Sequence, residues 1–439
     1  MTSLLNGESI KRAGGMKLAF FQLTFLLIAL SLFVDAVNGF FLAGMGIDPK
    51  LSATYKLVLI LLVLYQVGAY SHKFLASTFI IILLFMIGPT LTFVDNLNAS
   101  GLVADFIAGL KTITSFIIFI YCVQICKHWP HLVIKYGKWC CQFSFLILIG
   151  NLFLGLLGYG FSSYGSGSVE SQRTAGIKGF FYAGNEVSGL FILLFGIALH
   201  LAWQRKNKFL YYMLIPVIFA FGFLVATKAA MLTAAVLSFS IPMFNERNRL
   251  LNLTRLKIKL LAPVLLLVLF LIFTLVPILE SIGIWHRFVW FYEKKGLLGI
   301  ILSDRDEYIK YTVAGFYQFG DVLKTIFGMG RTGIGLFAKE SVEVDPVDMY
   351  FWFGSIGALF YIFLLFLYTR ISYLATREVN SQWGPTVLVI NITLFAVSLF
   401  AGHIVTSGML GPLFGLVNGM AYADYCLNKK DNPKKAMPL

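Results

Sequence analysis

Charged residues are concentrated in one segment of this chain, residues 280–348. The segment contains ten of the chain's 21 acidic residues. Its basic residues are Arg287, Lys294, Lys295, Arg305, Lys310, Lys324, Arg331 and Lys339. Carboxylates can act as general bases, and arginine and lysine bind phosphate through charge-assisted hydrogen bonds. The segment therefore predicts chemistry on a charged substrate.

Arg305 and Arg331 lie in two different local patterns of this segment. Ser303 is a favourable helix cap, and apolar residues at 309, 313 and 316 predict an amphipathic helix with Arg305 near its start. Arg331 stands in a glycine-rich run at 328–335, which by itself is a weak phosphate-binding signal.

Three carboxylates, those of Glu343, Asp345 and Asp348, directly precede the next apolar run. Carboxylates this close together are unfavourable unless some of them balance cations or take part in proton transfer. Asp345 could instead cap the following helix, with Pro346 at its first position. A capping role for Asp345 and a functional role for a neighbour are compatible.

Cations also occur in two shorter connections. Arg173 and Lys178 follow a Gly/Ser-rich stretch at 158–168, and glycine lets a backbone approach a ligand closely. Lys228 interrupts an apolar run at 209–244 that is too long for one membrane span, which predicts a helical hairpin with Lys228 at its tip. These cations could bind an anionic group, or they could be ordinary solvated or snorkelling charges.

The composition predicts an integral membrane protein, because 58% of residues are hydrophobic, only 13% are charged and the mean hydropathy is +0.81. Spans of sufficient length and apolarity predict an all-α polytopic fold with about twelve transmembrane helices. They lie near 17–35, 53–71, 74–94, 104–126, 141–160, 182–203, 209–225, 229–244, 260–279, 349–368, 385–402 and 411–427. The first span predicts a signal anchor, and residues 1–439 form a single membrane domain.

Basic connections alternate with less basic ones along the chain, which predicts that both termini are cytoplasmic. Two loops, at 160–181 and 280–348, then lie on the outer side with Lys228. The net charge of +14 reflects this topology and does not indicate nucleic-acid binding. No cysteine or histidine pattern has metal-ligand spacing, so neither a metal nor a cofactor is predicted.

The order of these features is similar to that in the O-antigen polymerase and O-antigen ligase superfamily of bacterial membrane glycosyltransferases. The matching features are Arg173 and Gly176 before Asn185-Glu186, Lys228 in a tight hairpin, Ser303-Asp304-Arg305, Gly328-x-Gly330, the acidic cluster, Phe353-Gly354-x-x-Gly357 and Gly402-His403. The resemblance spans most of the chain, although each matching piece is short.

The resemblance implies a GT-C-like, metal-independent, inverting enzyme of the bacterial inner membrane. It would transfer a growing glycan from undecaprenyl pyrophosphate to the non-reducing end of a lipid-linked repeat unit on the periplasmic face. Membrane lipids would surround it, and a chain-length regulator is a candidate partner. Arg173, Lys178, Lys228, Arg305 and Arg331 would bind the diphosphate. Glu343, Asp345 or His403 would be the general base.

Two alternatives differ from this hypothesis. A ligase of the same superfamily would transfer the glycan to lipid A core, but Asp345 and Asp348 stand where its histidine motif is expected, which favours a polymerase. A transporter or flippase would carry ionisable residues deep in several spans. Asp35, Lys56 and Lys111 are candidates, but they lie near the predicted outer ends of their helices, which favours interface anchoring.

Overall fold

The structure of the protein is a computed structural model. It describes residues 15–164, 175–246 and 285–430, together with 258, 269–270, 273–274 and 276–281. Arg173, a candidate diphosphate ligand, and most of the span predicted at 260–279 lie outside the described residues.

Helices make up nearly all of the regular structure in these residues. The first eight are α1 Gly15–Met45, α2 Leu51–Tyr70, α3 His72–Asn96, α4 Ala99–Cys126, α5 Pro130–Leu156, α6 Gly184–Trp203, α7 Phe209–Val225 and α8 Lys228–Asn245. An antiparallel hairpin, β1 Phe161–Tyr164 and β2 Ala175–Gly179, connects α5 to α6. The later helices are α9 Trp285–Leu302, α10 Arg305–Phe319, α11 Val322–Phe327, α12 Gly330–Ile334, α13 Asp345–Arg377, α14 Gly384–Ala401 and α15 Gly411–Lys430.

Nine helices in the described part of the chain are long and apolar enough to cross a membrane. They are α1 to α6, α8, α13 and α14. α7 is apolar but shorter, and α15 carries more polar residues. The prediction of an all-α multi-pass membrane protein is therefore confirmed, whereas the number twelve stays a prediction.

The long helices, together with α7 and α15, pack into two groups that share one core. α4 packs against α2, α3 and α15. In the second group, α6, α7 and α8 pack against one another, and α14 packs against α6 and α8. α13 joins the groups, because it packs against α3 and α15 on one side and α14 on the other. Aromatic packing supports this junction: the rings of Phe85 and Phe353 stack with centroids 4.4 Å apart.

The hairpin predicted around Lys228 is confirmed. α7 ends at Val225 and α8 begins at Lys228, so only two residues connect the helices. Ala226 turns the chain with a φ of 61°, and the Thr227 hydroxyl caps α8 by accepting a hydrogen bond from the Ala230 amide at 3.2 Å. This short connection places the Lys228 side chain at the end of the helical pair.

The beginning of α10 differs from the predicted cap. α10 begins at Arg305, but Ser303 does not cap it, because the Ser303 hydroxyl accepts a hydrogen bond from Lys228 at 2.5 Å. The predicted apolar stripe is partly wrong as well. Val313 is exposed, and the buried positions of α10 are Thr312, Gly315 and Phe316.

Two glycines of the predicted motifs permit a backbone crossing. A Cβ atom at Gly328 would lie 2.3 Å from the Trp352 backbone, and one at Gly354 would lie 2.3 Å from the Ile326 backbone. Gly354 has a φ of 65° and kinks α13 close to its start. Packing between the α11–α12 junction and α13 thus accounts for Gly328, which the sequence also indicates as part of a weak phosphate signal, and for Gly354 of the Phe353-Gly354-x-x-Gly357 motif.

Candidate functional site

Four segments that are distant in sequence meet at one end of the helix bundle. They are the start of α6, the start of α8, residues 300–348, and the connection 402–410 between α14 and α15. Asn185 of α6 donates a hydrogen bond to Glu343 at 3.4 Å, and Gly402 packs against the backbone of Glu343. We call Arg305, Lys339, Glu343 and His403 the charged cluster.

Arg305 is held at the start of α10 with part of its guanidinium unused. Nη2 donates to Glu343 Oε2 at 2.9 Å, and Nη1 donates to the carbonyl of Leu302 at 3.3 Å. Nε is buried and has no hydrogen-bond partner among the residues that the structure describes. An unpaired buried donor is costly, so this guanidinium is suited to gain a further anionic partner.

Glu343 is a counter-ion at the centre of the cluster. It accepts hydrogen bonds from Lys339 at 2.6 Å and from Arg305. Burial by itself would raise the pKa of this carboxyl, but the hydrogen bond from Lys339 and the charges of Lys339, Arg305 and His403 lower the pKa to about 2. A carboxylate with so low a pKa is a weak base at neutral pH, so Glu343 fits the role of counter-ion better than that of general base.

Asp345 and Asp348 have structural partners that occupy their carboxylates. Asp345 is fully buried and accepts hydrogen bonds from the amides of Ile404 and Val405, at 2.8 and 2.7 Å. Asp345 therefore anchors the connection 402–410, and its carboxylate does not cap α13, where Val344 is the cap position. Asp348 accepts hydrogen bonds from Ser341, Val342 and Glu343, which fixes the backbone in front of the same helix.

His403 has the most available side chain among the three base candidates. Its side chain is half-buried and makes no hydrogen bond within the described part of the chain. A Cβ atom at the preceding Gly402 would lie 2.4 Å from the Glu343 backbone, so only glycine permits this close approach. The approach brings His403 within electrostatic range of Glu343 and of Glu186 at the start of α6.

Lys228 joins α8 to the charged segment. Its ammonium donates to the carbonyl of Ile300 and to the hydroxyl of Ser303, and it lies over the rings of Phe288 and Phe291 at 5.5 and 5.1 Å. These contacts hold α9 against the tip of the hairpin. Lys228 also interacts electrostatically with Arg305, so it adds positive charge beside the cluster.

Two other predicted diphosphate ligands lie away from Arg305. The Lys178 ammonium donates to the carbonyl of Tyr182 at 2.7 Å, and burial lowers the pKa of Lys178. Arg331 forms a half-exposed salt bridge with Glu340 at 2.7 Å. The structure therefore brings together Arg305 and Lys228 from the predicted set, but it does not bring Lys178 or Arg331 into contact with them.

Unfavourable backbone conformations are concentrated around the charged cluster. Seven non-glycine residues in the described ranges have a positive φ, and four of them, Ser303, Asp304, Glu343 and His403, are in or next to the cluster. Such conformations cost about 1 to 3 kcal/mol each and persist where surrounding contacts enforce them, often at functional sites. The chain therefore maintains an unfavourable backbone where its charged side chains converge.

The sequence predicts interface anchoring for three ionisable side chains, those of Asp35, Lys56 and Lys111. Asp35 and Lys56 form a buried salt bridge of 2.5 Å, so neither is an interface anchor. Lys111 lies within α4, and its strongest electrostatic partner is Glu186. The position of these ionisable residues inside predicted spans was the sequence signal that could have indicated a function, because such residues usually have one.

No group of three or more His, Cys, Asp or Glu side chains among the described residues is arranged to hold a metal ion. The chain matches no protein-family model, and no curated protein is significantly similar to it. Evidence for its function therefore comes from its own residues.

Proposed function

We propose that the chain is a membrane glycosyltransferase that polymerises a surface polysaccharide. The growing glycan is transferred from undecaprenyl pyrophosphate to the non-reducing end of a lipid-linked repeat unit, on the periplasmic face of the inner membrane. Support comes from the order of sequence features shared with O-antigen polymerases and from the charged cluster at one end of a multi-pass helix bundle.

The observation that supports this function most strongly is the environment of the Arg305 guanidinium. Its guanidinium is largely buried, Glu343 neutralises it, and its Nε has no hydrogen-bond partner in the described part of the chain. A diphosphate offers several anionic oxygens to this planar donor group, and Lys339 remains beside Glu343 to balance the displaced carboxylate. Arg305 thereby stabilises the negative charge that develops on the leaving diphosphate.

The reaction is a direct displacement at the anomeric carbon of the donor glycan. A hydroxyl oxygen of the acceptor sugar forms the new bond to this carbon, and the bond from the carbon to the diphosphate oxygen breaks. The diphosphate leaves with the bonding electrons, and the hydroxyl proton passes to a general base, for which His403 is best placed. A single displacement inverts the configuration of the anomeric carbon.

Extension of purified lipid-linked repeat units tests this proposal. The substrate is extracted from cells that lack the gene, and product lengths are measured by gel electrophoresis after addition of the purified protein. The substitution Arg305→Ala is expected to lower the rate about 100- to 1,000-fold, because it removes a donor to the leaving group. Lys310→Ala, which removes an exposed cation from the same helix, is the matched control.

Full activity of Arg305→Ala contradicts the assigned role of Arg305. The phenotype of the deletion strain separates a polymerase from a ligase. Loss of a polymerase leaves single repeat units on lipid A core, whereas loss of a ligase leaves none.

A further inference from the structure

Lys111 is a cation within α4, one of the helices long and apolar enough to cross a membrane. Its ammonium makes no hydrogen bond and no salt bridge within 4.0 Å to any described residue. The nearby Lys56, in contrast, is paired with Asp35 at 2.5 Å. Ionisable side chains inside spans are normally paired, or they line a pathway or a binding site. Lys111 is therefore available to a ligand.

Glu186, the strongest electrostatic partner of Lys111, has one carboxylate oxygen that is hydrogen-bonded and one that is not, within the described part of the chain. Glu186 Oε2 accepts hydrogen bonds from the hydroxyl of Ser407 at 2.5 Å and from the amide of Met409 at 3.1 Å. Oε1 accepts none from the described residues, and the side chain is only half-buried. Glu186 acts more strongly on Lys111 than any other charge does, but the two groups are not in contact.

The connection 402–410 holds both side chains in place. Ser407 and Met409 fix Glu186, and a Cβ atom at Gly408 would lie only 3.1 to 3.2 Å from the methylene carbons of Lys111. The Lys111 stem is therefore packed along this connection. The two charged groups border adjacent residues of this connection and are more than 4.0 Å apart, and a small polar group between them would hydrogen-bond to both.

We propose that Lys111 and Glu186 together bind a hydroxyl group of a sugar. A hydroxyl accepts a hydrogen bond from the ammonium and donates one to the carboxylate at the same time. A phosphate fits less well, because Glu186 would repel it. The pair is thus a sugar-binding subsite, and its assignment to the acceptor glycan rests on the proposed function.

The position of this subsite agrees with that assignment. His403 begins the same connection and interacts electrostatically with Glu186. A sugar bound between Lys111 and Glu186 therefore lies next to the residue proposed to accept the proton of the attacking hydroxyl. The subsite orients the acceptor, while Arg305 binds the leaving diphosphate of the donor.

Binding of two lipids that differ only in their sugar tests the inference. The purified protein in phosphatidylcholine nanodiscs is titrated with lipid-linked repeat units from cells lacking the gene, and separately with sugar-free undecaprenyl diphosphate. Lys111→Met and Glu186→Gln are each expected to weaken binding of the repeat unit about 10-fold, without affecting the sugar-free lipid. The double variant loses little more, because the two side chains share one hydroxyl.

Suitable controls are present in the same protein. Glu186→Gln keeps an oxygen that can accept from Ser407 and Met409, so the connection stays folded, and Lys50→Met removes an exposed lysine. Arg305→Ala is expected to weaken binding of both lipids. Equal weakening of both lipids by Lys111→Met, or no weakening of either, overturns the sugar subsite. A sugar-specific loss in a protein that forms no polymer refutes the proposed function and leaves the subsite standing.

Discussion

Among the three residues proposed as general base, His403 has the side chain that is most available to a substrate. Its imidazole is half-buried and has no hydrogen-bond partner in the described structure, while the Asp345 carboxylate accepts hydrogen bonds from two backbone amides and from the Thr406 hydroxyl. We expect His403→Gln to lower the rate of glycan extension about 100- to 10,000-fold while binding of the lipid-linked repeat unit is retained. Single-turnover extension together with a nanodisc titration measures both quantities.

The matched control for this histidine is His286→Gln, because His286 is exposed and lies at the beginning of the charged segment. It is expected to retain wild-type activity. If His403→Gln extends repeat units at the wild-type rate, another group receives the proton and His403 only borders the site.

The low pKa of Glu343 predicts how stability depends on pH. The pKa falls from the usual 4.5 to about 2 on folding. Deprotonated Glu343 therefore stabilises the folded state fully above pH 4.5, and this contribution disappears between about pH 4.5 and pH 2. Two to three pKa units correspond to at most about 3 to 4 kcal/mol. The difference in unfolding temperature between wild type and Glu343→Gln is expected to shrink across this range.

Thermal unfolding in detergent measures the effect. Glu340→Gln is the control, because Glu340 belongs to the same loop but is half-exposed in its salt bridge with Arg331. Such exposed pairs contribute about 0 to 1 kcal/mol. A Glu343→Gln protein that is as stable as wild type at pH 7 contradicts the central role given to this counter-ion.

At the scale of elements, two carboxylates from different helices hold the connection 402–410. Asp345 of α13 accepts the amides of Ile404 and Val405, and Glu186 of α6 accepts the amide of Met409. We expect Asp345→Ala to destabilise the protein by about 2 to 6 kcal/mol, because two buried amides lose their acceptor. The unfolding temperature and the rate of proteolysis within the connection report this loss.

This substitution also separates the two roles predicted for Asp345. Anchoring predicts that activity falls in parallel with stability and with protection of the connection from protease. An inactive Asp345→Ala protein with wild-type stability and protection would indicate that Asp345 contacts the substrate.

Elements with a strong local signal could be predicted from the sequence, and contacts between distant segments could not. Length and apolarity locate the spans and the hairpin at Lys228. The role of Ser303 depends on Lys228, which is 75 positions away and takes the serine hydroxyl that would otherwise cap α10. In the same way, the salt bridge between Asp35 and Lys56 depends on how α1 and α2 pack, which no local pattern specifies.

The candidate site was predicted in part for the same reason. The types of Arg305, Glu343 and His403 singled them out, because charge is rare in so apolar a chain. Their grouping required the fold, since Glu343 meets Arg305 across 38 positions and meets Asn185 across 158. Gly328 was ambiguous, because a phosphate-binding loop and a close backbone crossing both need small residues.

At the scale of the whole molecule, the two ends of the bundle differ in chemistry. The end that carries the charged cluster also carries the β1–β2 hairpin, whose Ser163 donates to the carbonyl of Val225. At the other end, Gln204 donates to Asn245, and Asp424 accepts the amide of Trp383. The basic connection 204–208 belongs to this second end, so the positive-inside rule predicts that the charged cluster faces the periplasm.

Cysteine labelling in intact spheroplasts tests this orientation. Single cysteines replace Tyr182 and Val322, which are 68% and 76% exposed, and Lys206 at the opposite end, in a Cys426→Ser background. A membrane-impermeant maleimide is expected to label positions 182 and 322 in intact spheroplasts and position 206 only after lysis. The reverse pattern would place the cluster in the cytoplasm, away from a periplasmic lipid-linked substrate. Labelling of 182 and 322 from opposite sides would contradict the convergence of the hairpin and the charged segment at one end.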